Sequence, residues 1–195
     1  DMIVFISGGK NIMIFDKKTN ALQNREISHP TPTVSIAGIF VYSRRLYALD
    51  KENAVIWRHS ETQTGYDRGI IWNKQVIPDL KTGTSIAIDG DMYVGLSSGK
   101  IIKLTSGDEQ PFEIVGLEPK LASAEQLWTY NGVNNLYILD QTGRRLLIID
   151  KTGVLKAQIT ADLLMKPTGF YIDENEATAY VVDSGKILKF RLNIE

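Results

Sequence analysis

The chain contains no cysteine among its 195 residues and only two histidines, His29 and His59. Without cysteine there are no disulfides, no thiolate metal sites and no thiol nucleophile; no compartment follows, because a large β-core needs no bridges. His29 lies in the turn Ser28-His29-Pro30-Thr31-Pro32 and His59 at the end of a strand in a different unit. Two isolated histidines are too few for a zinc site, where several ligands converge on one point. An excess of one charge is missing too: 22 Lys and Arg stand against 23 Asp and Glu, for a net charge of −1 and a pI near 6.2. That balance disfavours a dedicated binder of nucleic acid or anionic membrane. No stretch approaches the roughly 18 apolar residues that cross a bilayer, and there is no N-terminal signal pattern. The sequence opens on Asp1 instead of methionine, which points to a processed product or a piece of a longer polypeptide.

What is present is a repeat. Hydrophobic residues make up 43% and charged residues 23%, a globular balance. From Lys166 to Phe190 three short segments rich in β-branched and aromatic residues, Gly169–Ile172, Ala179–Val182 and Lys186–Phe190, are separated by the polar turns Asp173–Glu176 and Asp183–Gly185. The tyrosine of this unit, Tyr180 in TAYVVD, recurs as Tyr47 in RLYALD, Tyr93 in DMYVGLS and Tyr137 in NLYILD, at spacings of 46, 44 and 43 residues. A further step back lands on Ile3 in MIVFIS. Several short strands per period of about 40–50 residues mark a propeller.

The elements Pro167-x-Gly169, a strand to Asp173, Tyr180-Val181-x-Asp183-Ser184-Gly185 and Ile187-x-x-Phe190 resemble one NHL repeat. The resemblance implies an all-β fold, a β-propeller of about five NHL-like four-stranded blades with the first and last incomplete. The chain is then one domain with approximate repeats 1–35, 36–80, 81–119, 120–163 and 164–195. Unit one lacks an inner strand, and unit five lacks an outer one. GIIWNK and PFEIVG are the expected outer strands of units two and three, the former after a loop around Thr62–Arg68; Pro119–Glu125 and Ala161–Met165 could form single helical turns. Asp140-Gln-Thr-Gly143 and Asp150-Lys-Thr-Gly153 fit turns in which aspartate caps and glycine takes the left-handed position. Tyr47, Tyr93, Tyr137 and Tyr180 are expected on second strands, largely buried between blades, with Trp57 and Trp128 in the core.

Candidates for chemistry are few. Mid-strand inner positions Val41, Ala87, Thr129 and Tyr171 form a neutral set, unlike the carboxylate-lined channel of metal-binding lactonases. Asp89 and Asp173 sit at strand ends, where turn capping accounts for them. No carboxylate pair is placed for acid–base work, and no serine has a histidine within its repeat. No cofactor is expected. The one regularity is basic: Lys10, Lys100, Arg144 and Lys186 each follow a glycine in the turn between second and third strands, predicting a partial cationic rim on one face. The plain alternative is that each merely solvates a strand edge, with Asp50, Asp140 and Asp183 diluting the charge. Trp72 is the least constrained tryptophan and a candidate for partner contact.

The expected role is a non-catalytic ligand- or protein-binding module, with a protein or small molecule as ligand. Analogy with propeller ectodomains of receptor kinases makes it a sensor or scaffold portion, extracytoplasmic, of a larger bacterial protein. The rivals are a metal-dependent lactonase or lyase and an RNA-binding propeller. The terminal strand edges are expected to be met by a parent chain or a second copy.

Overall fold

The structure, a computed structural model, describes residues 2–7, 11–63, 65–173, 175 and 177–192. Its strands form five antiparallel sheets, the blades of a β-propeller. Sheet one is β1 (Met2–Ser7), β2 (Asn11–Asp16) and β3 (Ala21–Glu26). Sheet two is β4 (Ile36–Tyr42), β5 (Arg45–Asp50) and β6 (Val55–Thr62), extended by the short β7 (Gly65–Tyr66) and β8 (Ile70–Ile71), both paired to β6. Sheet three is β9 (Gly83–Ile88), β10 (Met92–Leu96), β11 (Ile101–Thr105) and β12 (Asp108–Gln110). Sheet four is β13 (Gln126–Trp128), β14 (Asn135–Asp140), β15 (Arg145–Asp150) and β16 (Leu155–Thr160). Sheet five is β17 (Pro167–Asp173), β18 (Thr178–Asp183) and β19 (Lys186–Arg191). In every sheet the first three strands are neighbours in sequential order, as short turns require; in sheet two β8 returns to pair with β6 and not with β7. The chain divides into two compact units, Asp1–Gly83 with Ser106–Asp108, and Thr84–Thr105 with Glu109–Glu195.

Burial follows strand position. Every residue of β10 is buried, and so are all but the first of β5 and of β14. Both faces of these second strands are covered, so their sequences show no alternation. The fourth strand β16 alternates half-buried and exposed residues, the mark of a single covered face. In the second unit Tyr137, Leu139, Leu146 and Ile148 pack on Phe170, Ile172, Ala179 and Val181. In the first unit Ile12 and Ile14 meet Leu46, while Ala48 and Trp57 close over Ile36. Tyr47, Tyr93 and Tyr137 are 6%, 1% and 1% exposed, but Tyr180 is only half-buried.

Several expectations are corrected. PFEIVG is not the outer strand of sheet three: that strand is Asp108–Gln110, ahead of Pro111, whose ring removes a ladder donor. Past it, Val115 makes only an isolated parallel bridge to Val154. GIIWNK contributes just Ile70–Ile71. Pro119–Glu125 and Ala161–Met165 are turns without helix, and the one helical turn among the described residues is a 3-10 turn at Pro78–Thr82, begun by a proline with no N–H to lose. The Thr62–Arg68 segment is partly strand, because β6 runs on to Thr62 and pairs with β7. Gly153 has the expected positive φ of 96°, whereas the left-handed residue of the preceding turn is Arg144, with φ 53°, and not Gly143. Gly143 is required for another reason. The Asp140 carboxylate folds over it and accepts its N–H at 2.8 Å, leaving no room for a Cβ.

Candidate functional site

In the second unit Lys100 and Arg144 lie in the turns between the second and third strands of sheets three and four, Lys186 opens the third strand of sheet five, and all three are exposed. Lys10 lies outside the described residues. The aspartates at the ends of the second strands do not dilute this charge at the surface, because they turn inward. Asp140 is 0% and Asp183 3% exposed. Asp140 accepts the Ser123 N–H at 3.0 Å and pairs with the Arg145 guanidinium at 2.9 Å; Asp183 accepts the Lys166 N–H at 2.8 Å. Each ties the segment before a first strand to the turn after the second. Asp50 in the first unit does the same through the Ser35 N–H at 2.9 Å and also accepts from Trp57 Nε1 at 3.0 Å. Burial pushes the Asp50 carboxyl up, but bonds from Ser35, Asn53 and Trp57 hold it below the usual carboxylate range.

Beside Lys100 opens a groove of about 700 Å³, entirely within the second unit. Ile101, Phe112, Ile114, Val115, Leu117 and Leu121 give it an apolar lining, with Lys100, Glu113, Glu118 and Lys120 around them. Val115 is 58% exposed. Its wall is held from several sides. The Val115 N–H donates to the Gly153 carbonyl at 2.9 Å, and its own carbonyl accepts the Leu155 N–H at 3.1 Å. Arg145 donates to the carbonyls of Pro119 and Lys120 at 2.7 and 2.9 Å. Gly99, at φ 84°, lies against the Leu121 carbonyl so closely that no side chain fits. The glycine of this Gly-Lys turn is therefore a packing requirement of the groove. Arg145, 4% exposed, had no signal in the sequence beyond standing next to Arg144.

Trp72 belongs to the first unit. Its half-buried ring meets Tyr47 edge-to-face at 5.6 Å, and its backbone N–H donates to Ile56 at 2.8 Å.

Asp89 does more than cap a turn. It pairs with Lys151 at 2.5 Å, while Asp91 pairs with Lys103 at 3.0 Å and accepts from Thr105 at 2.7 Å. The two ammonium groups lie 5.4 and 5.5 Å from the centre of the Tyr93 ring, and Lys151 also donates to Thr129. Burial, then Asp89 and Asp91, push the Tyr93 hydroxyl up, so it stays protonated. Every cation here has an anion, which makes the cluster a brace between sheets three and four.

The histidines are not isolated. Their ring centroids stand 5.0 Å apart, and His29 is 5.5 Å from Trp57. His59 Nδ1 donates to the Asp67 carbonyl at 2.9 Å, and its Nε2 is roofed by Gly69, where a Cβ would come within 2.6 Å of the ring. Both nitrogens of His29 and Nε2 of His59 lack hydrogen-bond partners among the described residues. Burial, then His59, lowers His29 to about 4, and burial also lowers His59. The pair is thus neutral. Sequence spacing could not show it, because His29 precedes the first strand of sheet two and His59 lies on the third. No group of three or more His, Cys, Asp or Glu placed to hold a metal occurs among the described residues, and no helix there is long and apolar enough to cross a membrane.

No family model matches the chain, and neither does any curated protein. Solved structures do. A streptogramin B lyase structure is similar over 98% of this chain and 65% of its own, at 15% identity and a TM-score of 0.62. A nidogen/laminin complex matches 94% of this chain and 70% of its own, at 21% and 0.70. Virginiamycin B lyase from Staphylococcus aureus matches 100% and 71%, at 15% and 0.59. The fold is a β-propeller. The likeness extends no further at these identities, and the chain spans 65% of the length of the streptogramin B lyase.

Proposed function

We propose that the chain is a non-catalytic binding module of NHL-like repeats that takes a segment of a partner protein in the groove beside Lys100. The observation that carries this is the groove itself: an apolar floor of Phe112, Ile114, Val115 and Leu117, open to solvent and edged by both charge signs. Such a lining suits an extended peptide that buries two or three apolar side chains and pairs its polar ones at the rim. The wall is already fixed by the Arg145 and Val115 hydrogen bonds, so little ordering opposes binding. Arg144 and Lys186 extend the positive side of the same turn set, which favours an acidic flank on the partner. A partner-bearing complex among the similar structures, nidogen/laminin, agrees with this class of role.

Selection of peptides from a random displayed library on the immobilised chain tests the proposal. Enriched peptides should carry apolar residues beside Asp or Glu. They should lose about tenfold or more in affinity, roughly 1.4 kcal/mol, against Val115→Glu and against Lys100→Glu. Equal binding to both variants would move the site elsewhere. Metal-dependent turnover of a lactone substrate by the purified chain would overturn the non-catalytic reading in favour of the lyase class.

A further inference from the structure

The groove beside Lys100 has a main-chain edge as well as an apolar lining. After Phe112 the chain passes the start of β16, the outer strand of sheet four, and Val115 pairs there with Val154 as an isolated parallel bridge. The Val115 N–H donates to the Gly153 carbonyl, and the Val115 carbonyl accepts the Leu155 N–H. On its inner side Val154 continues the ladder, its carbonyl accepting the Asp150 N–H at 2.9 Å. Val115 is thus a one-residue fifth strand on the outer edge of sheet four.

A trans peptide unit sets its carbonyl and its N–H on opposite sides of the chain. The unit joining Ile114 to Val115 gives its N–H to Gly153, so the Ile114 carbonyl points away from sheet four. The unit joining Val115 to Gly116 gives its carbonyl to Leu155, so the Gly116 N–H points the same way. Neither outward group has a hydrogen-bond partner among the described residues, and Gly116 is exposed. An acceptor and a donor flanking one residue in this manner are the pairing groups of an open strand edge. The groove lies on that side: its lining runs along Phe112–Leu117 and across to Ser98–Ile101, and includes neither Gly153 nor Leu155. The edge is also held firmly. The Glu113 carbonyl lies against Gly153, and the Phe112 ring meets Tyr93 edge-on at 5.6 Å. All of these residues belong to the second unit.

We propose that the partner segment enters the groove as a β-strand and adds to sheet four beyond Val115. One of its N–H groups donates to the Ile114 carbonyl, and one of its carbonyls accepts the Gly116 N–H. The inference rests on the groove reading proposed above and specifies how the partner is recognised there. A parallel segment uses both groups of a single residue for this, and an antiparallel one uses the two residues flanking it. The chemistry of the partner follows. Its apolar side chains stand at alternate positions, because one face of a strand meets the apolar lining while the other faces solvent. Proline is excluded at the residue that pairs with Ile114, since it has no N–H to give. A helical segment is excluded too, because its interior backbone groups are spent within the helix.

Two measurements test this, with the tightest-binding peptide selected on the immobilised chain and then made synthetically. The first is amide hydrogen exchange on the isotope-labelled 195-residue chain. The Val115 amide, already bonded to Gly153, should exchange slowly with or without peptide. The Gly116 amide should exchange fast in the free chain and about tenfold or more slowly once the peptide is saturating. The second is a scan of the peptide by N-methylation, one backbone nitrogen at a time. Methylation at the single position that faces Ile114 should weaken binding about tenfold or more, and at nitrogens facing away from the edge by less than about threefold. A peptide that loses affinity against Val115→Glu, yet tolerates methylation at every position and leaves Gly116 exchange unchanged, overturns strand addition while the groove reading stands. Failure to select any peptide that distinguishes Val115→Glu from the unsubstituted chain overturns both.

Discussion

In sheet four the pair Trp128–Tyr137 lies beneath sheet five, whereas in sheet five the equivalent pair Tyr171–Tyr180 faces outward. The two sheets share much else. Each places an aromatic residue opposite the second-strand tyrosine and a buried aspartate at the end of that strand. Two side chains differ in consequence. Gln126 of sheet four clamps Phe170 of sheet five, its Oε1 accepting the N–H at 3.0 Å and its Nε2 donating to the carbonyl at 3.3 Å; the equivalent residue in sheet five is Gly169, which has no side chain to do this. Asp140 is locked by the buried Arg145, while Asp183 is followed by the exposed Lys186. A repeat thus specifies strands and turns, and the neighbouring sheet decides whether its faces become core.

The comparison can be broken most forcefully at the aspartates. Asp140→Ala leaves Arg145 a buried charge without its anion and should cost about 3–5 kcal/mol in chemical denaturation. Asp183→Ala removes one charge-assisted bond to the Lys166 N–H and should cost roughly 1–3 kcal/mol. Equal losses would mean that the Arg145 pair adds nothing. The tyrosines give the next test. Tyr137→Ala should cost roughly 3–5 kcal/mol as a core truncation, and Tyr180→Ala, on the outward face, about 1–2 kcal/mol. A similar loss for both would show that Tyr180 is as fully packed as Tyr137.

Sheet two sharpens the comparison, since its second-strand aspartate, Asp50, stands near the buried histidines. His29 is lowered from 6.5 to about 4 by burial and then by His59, against the opposing pull of Asp50. Below pH 6.5 the unfolded chain therefore takes up a proton that the folded chain refuses. Stability should be full above that pH and should decline as pH falls through the window from about 6.5 to about 4, by up to roughly 3 kcal/mol for this group. His59, lowered by its burial, acts in the same direction. His29→Phe should flatten its share of the decline in melting temperature between pH 7 and 4. An unchanged slope in that variant would remove the pair as the cause.

What the sequence determined by itself is the repeat: the tyrosines at spacings of 46, 44 and 43, the β-rich segments between turn formers, and hence the propeller. These signals are local, carried by side-chain type and turn chemistry within a few residues, and they survive in one dimension. The basic turns Gly99-Lys100, Gly143-Arg144 and Gly185-Lys186 were legible for the same reason. Their meaning was not. Gly99 is needed because the Leu121 carbonyl, 22 residues on, lies against it, and Gly143 because Asp140 folds back over it. The groove wall depends on Arg145 reaching Pro119 and Lys120, and the pairing of His29 with His59 depends on a loop before a first strand closing over a third. Each of these joins residues from 3 to 30 positions apart through contacts that no spacing rule encodes. Only the tertiary structure decides them, because burial and desolvation are set by the neighbour a face receives and not by the residues that compose it.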